Sequence, residues 1–174
     1  DLSEEQSASQ FLALTDKLKF AGFEHYEISN YALPGKYAVH NTNYWKGIPY
    51  LGIGPSAHGF DGHNRYINIA NNAKYLSLLA DQKLAETVEE LSQTDRFNEY
   101  IMTSLRTMWG LDLQKITSDF GKTFETETLK QMKPFVEKGQ LTLDGKFIKL
   151  TAKGKLFADG IAAELFVEND LNQK

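Results

Sequence analysis

The chain has 174 residues, 41% of them apolar and 24% charged, with a formal net charge of −4 and no cysteine. That length holds one sizeable domain or two small ones, and the missing cysteines exclude disulfides, thiolate nucleophiles and sulfur-ligated zinc or iron–sulfur clusters within it. The negative charge argues against nucleic acid as a partner, because phosphate binding draws on clustered Lys and Arg, and no apolar run approaches the roughly 20 residues that span a bilayer.

The first residues, Asp1, Leu2, Ser3, Glu4 and Glu5, include no Met and none of the basic and apolar runs of a signal peptide. Asp1 is therefore read as a cut within a longer chain, and a cytoplasmic location is expected. Ser3 to about Ala21 predicts an amphipathic helix with Ala8, Phe11, Leu12, Thr15 and Leu18 on its buried face. Gly22 stops it, His25 to Ile28 forms a short strand, and Pro34-Gly35 bends the turn-rich stretch from Ser29 to Lys36. Tyr37 to Gly62, rich in aromatic residues and Gly, gives only a strand near Tyr50 to Ile53. A strand over Arg65 to Ile69 follows the Asp61-Gly62 turn, and Asn71 or Asn72 caps a helix to about Ala80.

The polar stretch from 81 to 93 reads as a link, dividing the chain into residues 1–85 and 86–174. Beyond it, Thr94 or Asp95 caps a helix ending at Gly110, with Phe97, Tyr100, Ile101, Ser104, Leu105 and Met108 on one face. Helices over Asp112–Phe120 and Lys122–Lys138 come next, the second closed by Gly139. The Asp144-Gly145 pair between Leu141–Leu143 and Lys146–Leu150 predicts a tight hairpin. Thr151 then caps a last helix that turns Leu156, Phe157, Gly160, Ile161 and Leu165 inward. Three helices, a hairpin and a closing helix predict a mostly helical, winged-helix-like module. Its candidate reading helix balances Lys122, Lys130, Lys133 and Lys138 against Glu125, Glu127 and Glu137, which favours a structural or docking role over DNA. Lys146, Lys149, Lys153 and Lys155 on and after the hairpin keep the other possibility open.

His40-Asn41-Thr42-Asn43-Tyr44-Trp45 is the most distinctive string. An imidazole suits an iron centre, Tyr44 and Trp45 offer flat faces to a macrocycle, and Asn41 and Asn43 can fix the imidazole by hydrogen bonds. From chemistry alone the plainer account is the better one: core aromatics, and a His bonded to a backbone carbonyl. Gly52-Ile53-Gly54-Pro55-Ser56-Ala57-His58-Gly59 fits neither the Walker nor the dinucleotide fingerprint. It predicts close approach of chain or ligand. Ser56 with His58, His25 with its neighbouring Glu24 and Glu27, and His63 with Asp61 form no recognisable catalytic or metal set.

Taken together, Tyr26 to Ala32, Pro34-Gly35, His40-Asn41 with Tyr44-Trp45, Tyr50 to Gly54 and Ala57-His58-Gly59 resemble, in order and spacing, the C-terminal half of the oxygen-independent coproporphyrinogen III oxidase family of radical SAM proteins. Phe97 to Arg106 with Gly110-Leu111, and Leu150 to Phe157, are similar to the start and end of that family's C-terminal domain. The resemblance implies an α+β chain: the last α/β elements of a partial radical SAM (β/α) barrel, then the helical domain. The His-Asn-x-x-Tyr-Trp string resembles that of the family's HemW branch, haem chaperones that hand haem to acceptor proteins. It implies His40 as haem-iron ligand with Asn41, Tyr44 and Trp45 beside it. Ala32 and Arg106 are implied as S-adenosylmethionine contacts. The family's cluster-binding Cys-x3-Cys-x2-Cys motif is absent here, so its [4Fe–4S] cluster and radical chemistry are not expected of this chain alone, which at most binds haem. The alternative within the resemblance is a coproporphyrinogen III oxidase (dehydrogenase), carrying out oxidative decarboxylation to protoporphyrinogen IX. A homodimer is a further possibility, since exposed strand edges invite pairing.

Overall fold

Ser3 opens the first helix with a reciprocal cap: its hydroxyl accepts from the Gln6 N–H while its own N–H donates to the Gln6 side chain. The structure is a computed structural model and describes residues 3–168. Helix α1 (Glu4–Phe20) shields Ala8, Phe11, Thr15 and Leu18 only partly and leaves Leu12 exposed, so the expected apolar stripe is covered on one side alone. It lies on strand β1 (Glu24–Glu27), which pairs antiparallel with β2 (Asn30–Ala32). The turn-rich stretch from Ser29 to Lys36 therefore also supplies a strand before it bends.

The region from Tyr37 to Gly62 is more regular than its composition suggests. Helix α2 (Val39–Trp45) carries the distinctive string and buries none of its residues. Seven residues, all but Val39 polar or aromatic and without a side-chain cap, give little local helix signal. No strand forms over Tyr50 to Ile53. Only Tyr50 pairs, bridging to Phe60 of β3 (His58–Phe60). Strands β3, β4 (Asn64–Asn68) and β5 (Glu86–Glu90) make an antiparallel sheet in that order, with helix α3 (Asn72–Ala80), capped by Asn71, between the last two. Glu86–Glu90, read from its charge as a link, is thus an edge strand. Its acidic side chains face solvent while the backbone is claimed by β4. The described strand pairs are all antiparallel.

The main core belongs to the second half of the chain. Helix α4 (Gln93–Leu105) starts at Ser92, whose hydroxyl accepts from Asp95 N–H while the Asp95 carboxylate accepts from Ser92 N–H. The cap thus falls two or three residues before the expected one. The helix stops at Leu105, short of Gly110, because β1 captures the next backbone: Ile28 N–H donates to Arg106 C=O, and Met108 N–H to Tyr26 C=O. Strand β6 (Leu111–Asp112), helix α5 (Leu113–Phe120) and helix α6 (Lys122–Gln131) follow. The single helix expected to Lys138 breaks at Met132, and a short α7 (Lys133–Glu137) begins with Pro134 in its first turn, where a missing N–H is harmless. The predicted hairpin forms, β7 (Leu141–Asp144) against β8 (Phe147–Leu150), but its turn is Gly145-Lys146 rather than Asp144-Gly145, with Asp144 paired to Phe147; β6 lies on the far side of β8.

The Thr151 hydroxyl accepts from Gly154 N–H, but the last helix does not start there: a 3₁₀ turn (Gly154–Phe157) comes first, and helix α8 (Ala158–Glu164) follows from Phe157 with no side-chain cap. Ile161 and Leu165 point inward, whereas Phe157 and Gly160 face solvent. Phe97, Ile101, Leu105, Ile116, Phe124, Leu141, Ile148 and Leu165 form one buried cluster, each contributing about 1.5–3 kcal/mol by removal from water. Among the described residues, buried positions are sparse before residue 91: Tyr26, Glu27, Ala32, Gly59, Asn68 and Ala85.

Candidate functional site

Helix geometry sorts the distinctive string into two rows. His40 and Tyr44 lie one turn apart, as do Asn41 and Trp45. The first row is exposed and the second half-buried. Trp45 packs edge-on to Tyr44 at 5.0 Å between ring centroids, and the Arg106 guanidinium sits over its ring at 5.4 Å. The Trp45 Nε1 and Thr42 Oγ1 atoms are buried without a hydrogen-bond partner. His40 is exposed on the outer row of the helix. The plainer account of a His bonded to a backbone carbonyl describes His25 instead. Its Nε2 lies 2.9 Å from Ile28 C=O, its ring stacks on Tyr31 at 4.1 Å, and burial pushes its pKa below the usual imidazole range.

Arg106 follows α4 and joins three parts of the chain. Beyond Trp45, its Nε donates to Glu27 at 3.2 Å and its Nη1 to Asp159 at 2.6 Å. Glu27 is 1% exposed and accepts also from Ser29 N–H and Asn30 Nδ2. Lys155 approaches from the other side, donating to His25 C=O at 3.4 Å. Burial pushes its pKa down to about 8, against the opposing pull of Glu27. Ala32 is buried at the end of β2, paired across the strands with Glu24. The structure thus brings Arg106 to Trp45, while Ala32 belongs to the β1–β2 pair. Glu27 and Lys155 escaped the sequence reading because 128 positions' worth of chain separates their strand and 3₁₀ turn, and no local motif links them.

The Gly-rich run resolves as close approach of chain to chain. A Cβ on Gly52 would lie 2.5 Å from the His58 carbonyl, and Asn68 Nδ2 donates to both Gly52 and Gly54 C=O. The run folds on its own backbone.

Beside α2 lies a cleft of about 510 Å³. One wall carries Tyr44, Tyr50 and Phe60, spaced 6.1 and 6.3 Å apart in series, and the other carries Tyr100 stacked near Phe120 at 6.1 Å. Lys46, Arg65, Arg96 and Lys115 also line it, against Glu99 and Asp119. Its one sequence signal is the stripe Arg96, Glu99, Tyr100 and Thr103 at helical spacing on α4, masked by the stronger apolar stripe on the adjoining face.

The basic residues of the hairpin are engaged internally. Lys146 pairs with Asp112 and Lys149 with Asp144, while Lys153 donates to Lys138 C=O. Lys122 and Lys130 pair with Glu125 and Glu127. Little uncompensated positive field faces outward from this module. Among the described residues, no helix is long and apolar enough to cross a membrane.

Residues 91–157 match the model of the HemN C-terminal domain, which places the second half of the chain among coproporphyrinogen III oxidase-like proteins. The fold agrees with a solved structure titled "Coproporphyrinogen III oxidase (HemN) from Escherichia coli is a Radical SAM enzyme", with a TM-score of 0.70 at 21% identity over 97% of this chain and 42% of that one. Two curated relatives carry the name heme chaperone HemW. That of Lactococcus lactis is 31% identical over 98% of this chain and 44% of its own length, and that of Bacillus subtilis 27% identical over 91% and 42%. Over nearly its whole length the chain is thus similar to HemW-type, coproporphyrinogen III oxidase-like radical SAM proteins, and it spans less than half the length of these relatives.

Proposed function

We propose that the chain is the C-terminal part of a haem chaperone-like radical SAM protein that binds haem on α2 and passes it to acceptor proteins. The observation that carries this reading is the exposed imidazole of His40, one helical turn from the exposed ring of Tyr44, in a chain whose similarity to named haem chaperones runs nearly end to end. An exposed imidazole costs no desolvation to reach and leaves iron an open approach, which suits a carrier that must also release its cargo. Asn41 and Trp45 form the supporting row, Trp45 steadied by Arg106.

In this reading α1 and β1 are the last α/β elements of a partial barrel completed by the rest of a longer parent, and residues 86–174 form a winged-helix-like cover. The parent's [4Fe–4S] cluster would supply electrons to S-adenosylmethionine from thiolates that this chain does not contain. Ala32 and Arg106 are the residues here proposed to reach the S-adenosylmethionine. Two carboxylates already hold the Arg106 guanidinium, so its contribution would be to position Trp45 and the β1 end rather than to act as a free anion receptor.

The test is a haem titration of this chain. A saturable Soret band is expected, lost in His40→Ala and kept in His58→Ala, whose imidazole is also exposed. A Soret band undiminished in His40→Ala would refute the reading. Turnover of coproporphyrinogen by a cluster-loaded full-length protein would favour the dehydrogenase instead.

A further inference from the structure

We infer that the cleft beside α2 is a carboxylate-recognition site that holds the acidic edge of a flat aromatic macrocycle, with Arg96 as the receiving group. This deepens the haem reading and rests on it for the identity of the macrocycle, whose periphery carries propionates. The charge balance of the cleft runs against that of the whole chain. Four cationic side chains line it against two carboxylates, in a protein of formal net charge −4. The cations are not equivalent. Arg65 is held by Glu89 and Glu99, Lys115 by Asp119, and Lys46 lies over the Trp109 ring at 4.4 Å.

Arg96 is different. Its Nε is buried and has no acceptor, and a buried donor left unpaired costs on the order of 1–3 kcal/mol. Asp119 is close enough to feel its charge, yet that carboxylate accepts from Lys115 and Ser118. A planar guanidinium engages a carboxylate through two parallel N–H groups. A rotation about the last torsions of Arg96 turns its Nε edge to the cleft, where an incoming carboxylate supplies the missing acceptor. The aromatic residues on both walls give a flat ring faces to lie on. Tyr44 lines the cleft and stands about one turn, about 6 Å along the axis, from His40. A macrocycle held near His40 therefore extends over Tyr44 with its edge toward Arg96.

The experiment compares protoporphyrin IX with its dimethyl ester, each with and without iron, by titration against the wild type, Arg96→Gln and His40→Ala. The metal-free pair asks nothing of an iron ligand, so it tests the cleft separately from His40. The wild type and His40→Ala are expected to bind the free diacid at least about ten-fold more tightly than the ester, the worth of one charge-assisted hydrogen bond. Arg96→Gln should reduce that preference to near unity, and Arg96→Lys, which keeps the charge but loses the fork, should restore only part of it. Lys130→Gln, on α6 and outside the cleft lining, should leave it unchanged. Equal binding of diacid and ester by the wild type, no binding of either metal-free form, or a preference that survives in Arg96→Gln would overturn the inference. An iron-dependent Soret band that survives in His40→Ala would instead count against His40 as ligand and leave the cleft untouched. Far-UV circular dichroism of Arg96→Lys guards against misfolding as the cause.

Discussion

At the scale of single residues, the chain separates imidazoles and cations that look alike in sequence by what surrounds them. His25 stands between Glu24 and Tyr26 and His40 between Val39 and Asn41, yet the first is stacked and bonded while the second faces water. Lys155 looks like a surface lysine of a basic cluster, but it is packed over β1 with its pKa lowered to about 8 from an ordinary 10.5. Below pH 8 the folded state holds a buried ammonium at a cost. Between about pH 8 and 10.5 the folded state has released that proton while the unfolded chain keeps it, so the unfolded state binds more protons and stability from this group rises with pH. Lys155→Met is therefore expected to raise the urea midpoint at pH 7 and to flatten the gain between pH 7.5 and 9.5 relative to wild type. An unchanged difference between the two midpoints would show that the ammonium is solvated. Neither environment was legible in the sequence, because burial of Lys155 and of Glu27 arises from a contact between β1 and a 3₁₀ turn far along the chain.

Among elements, those with strong local signals matched expectation and those made by partners did not. Asn71 caps where the sequence placed a cap, and Asp112, read as the first residue of a helix, caps it instead, since a short polar side chain before a helix needs only its own backbone. The Asp144-Gly145 hairpin is likewise local. By contrast, β2 and β5 exist because β1 and β4 stand beside them, and an acidic segment such as Glu86–Glu90 advertises solvent rather than pairing. Two glycines near the end of the chain show the same distinction energetically. A Cβ on Gly154 would lie 1.9 Å from the Gln140 carbonyl oxygen, while one on Gly160 would meet nothing within 4 Å. Gly154→Ala should lower stability by about 2–3 kcal/mol through forced backbone displacement. Gly160→Ala should raise it by about 0.5–1 kcal/mol through helix propensity. Denaturant melts of both variants check the pair, and equal effects would contradict the packing of the 3₁₀ turn against residue 140.

For the whole molecule, apolar burial is unevenly divided. The main cluster lies wholly between Phe97 and Val167, and its ends are clasped by Asn98, whose side chain donates to Val167 C=O and accepts from Val167 N–H. The earlier part leaves Leu51, Ile53 and Leu84 more than 80% exposed. Residues 91–168 produced alone are expected to unfold cooperatively with a helical circular dichroism spectrum, whereas residues 1–90 alone should show no cooperative transition. A non-cooperative melt of residues 91–168 would mean that β1 and the Arg106–Glu27 pair are needed to complete their core.

The sequence by itself determined the local elements, the family through its spaced aromatic, Gly and His motifs, and the impossibility of holding an iron–sulfur cluster without cysteine. Only the tertiary structure decided that the distinctive string is a helix with His40 outward, that Trp45 lies beneath Arg106, and that cations from β4, α4 and α5 meet in one aromatic cleft. The physical reason is range. Caps, turns and ligand chemistry act over a few consecutive residues, whereas burial, charge balance and strand pairing are set by which distant segments become neighbours.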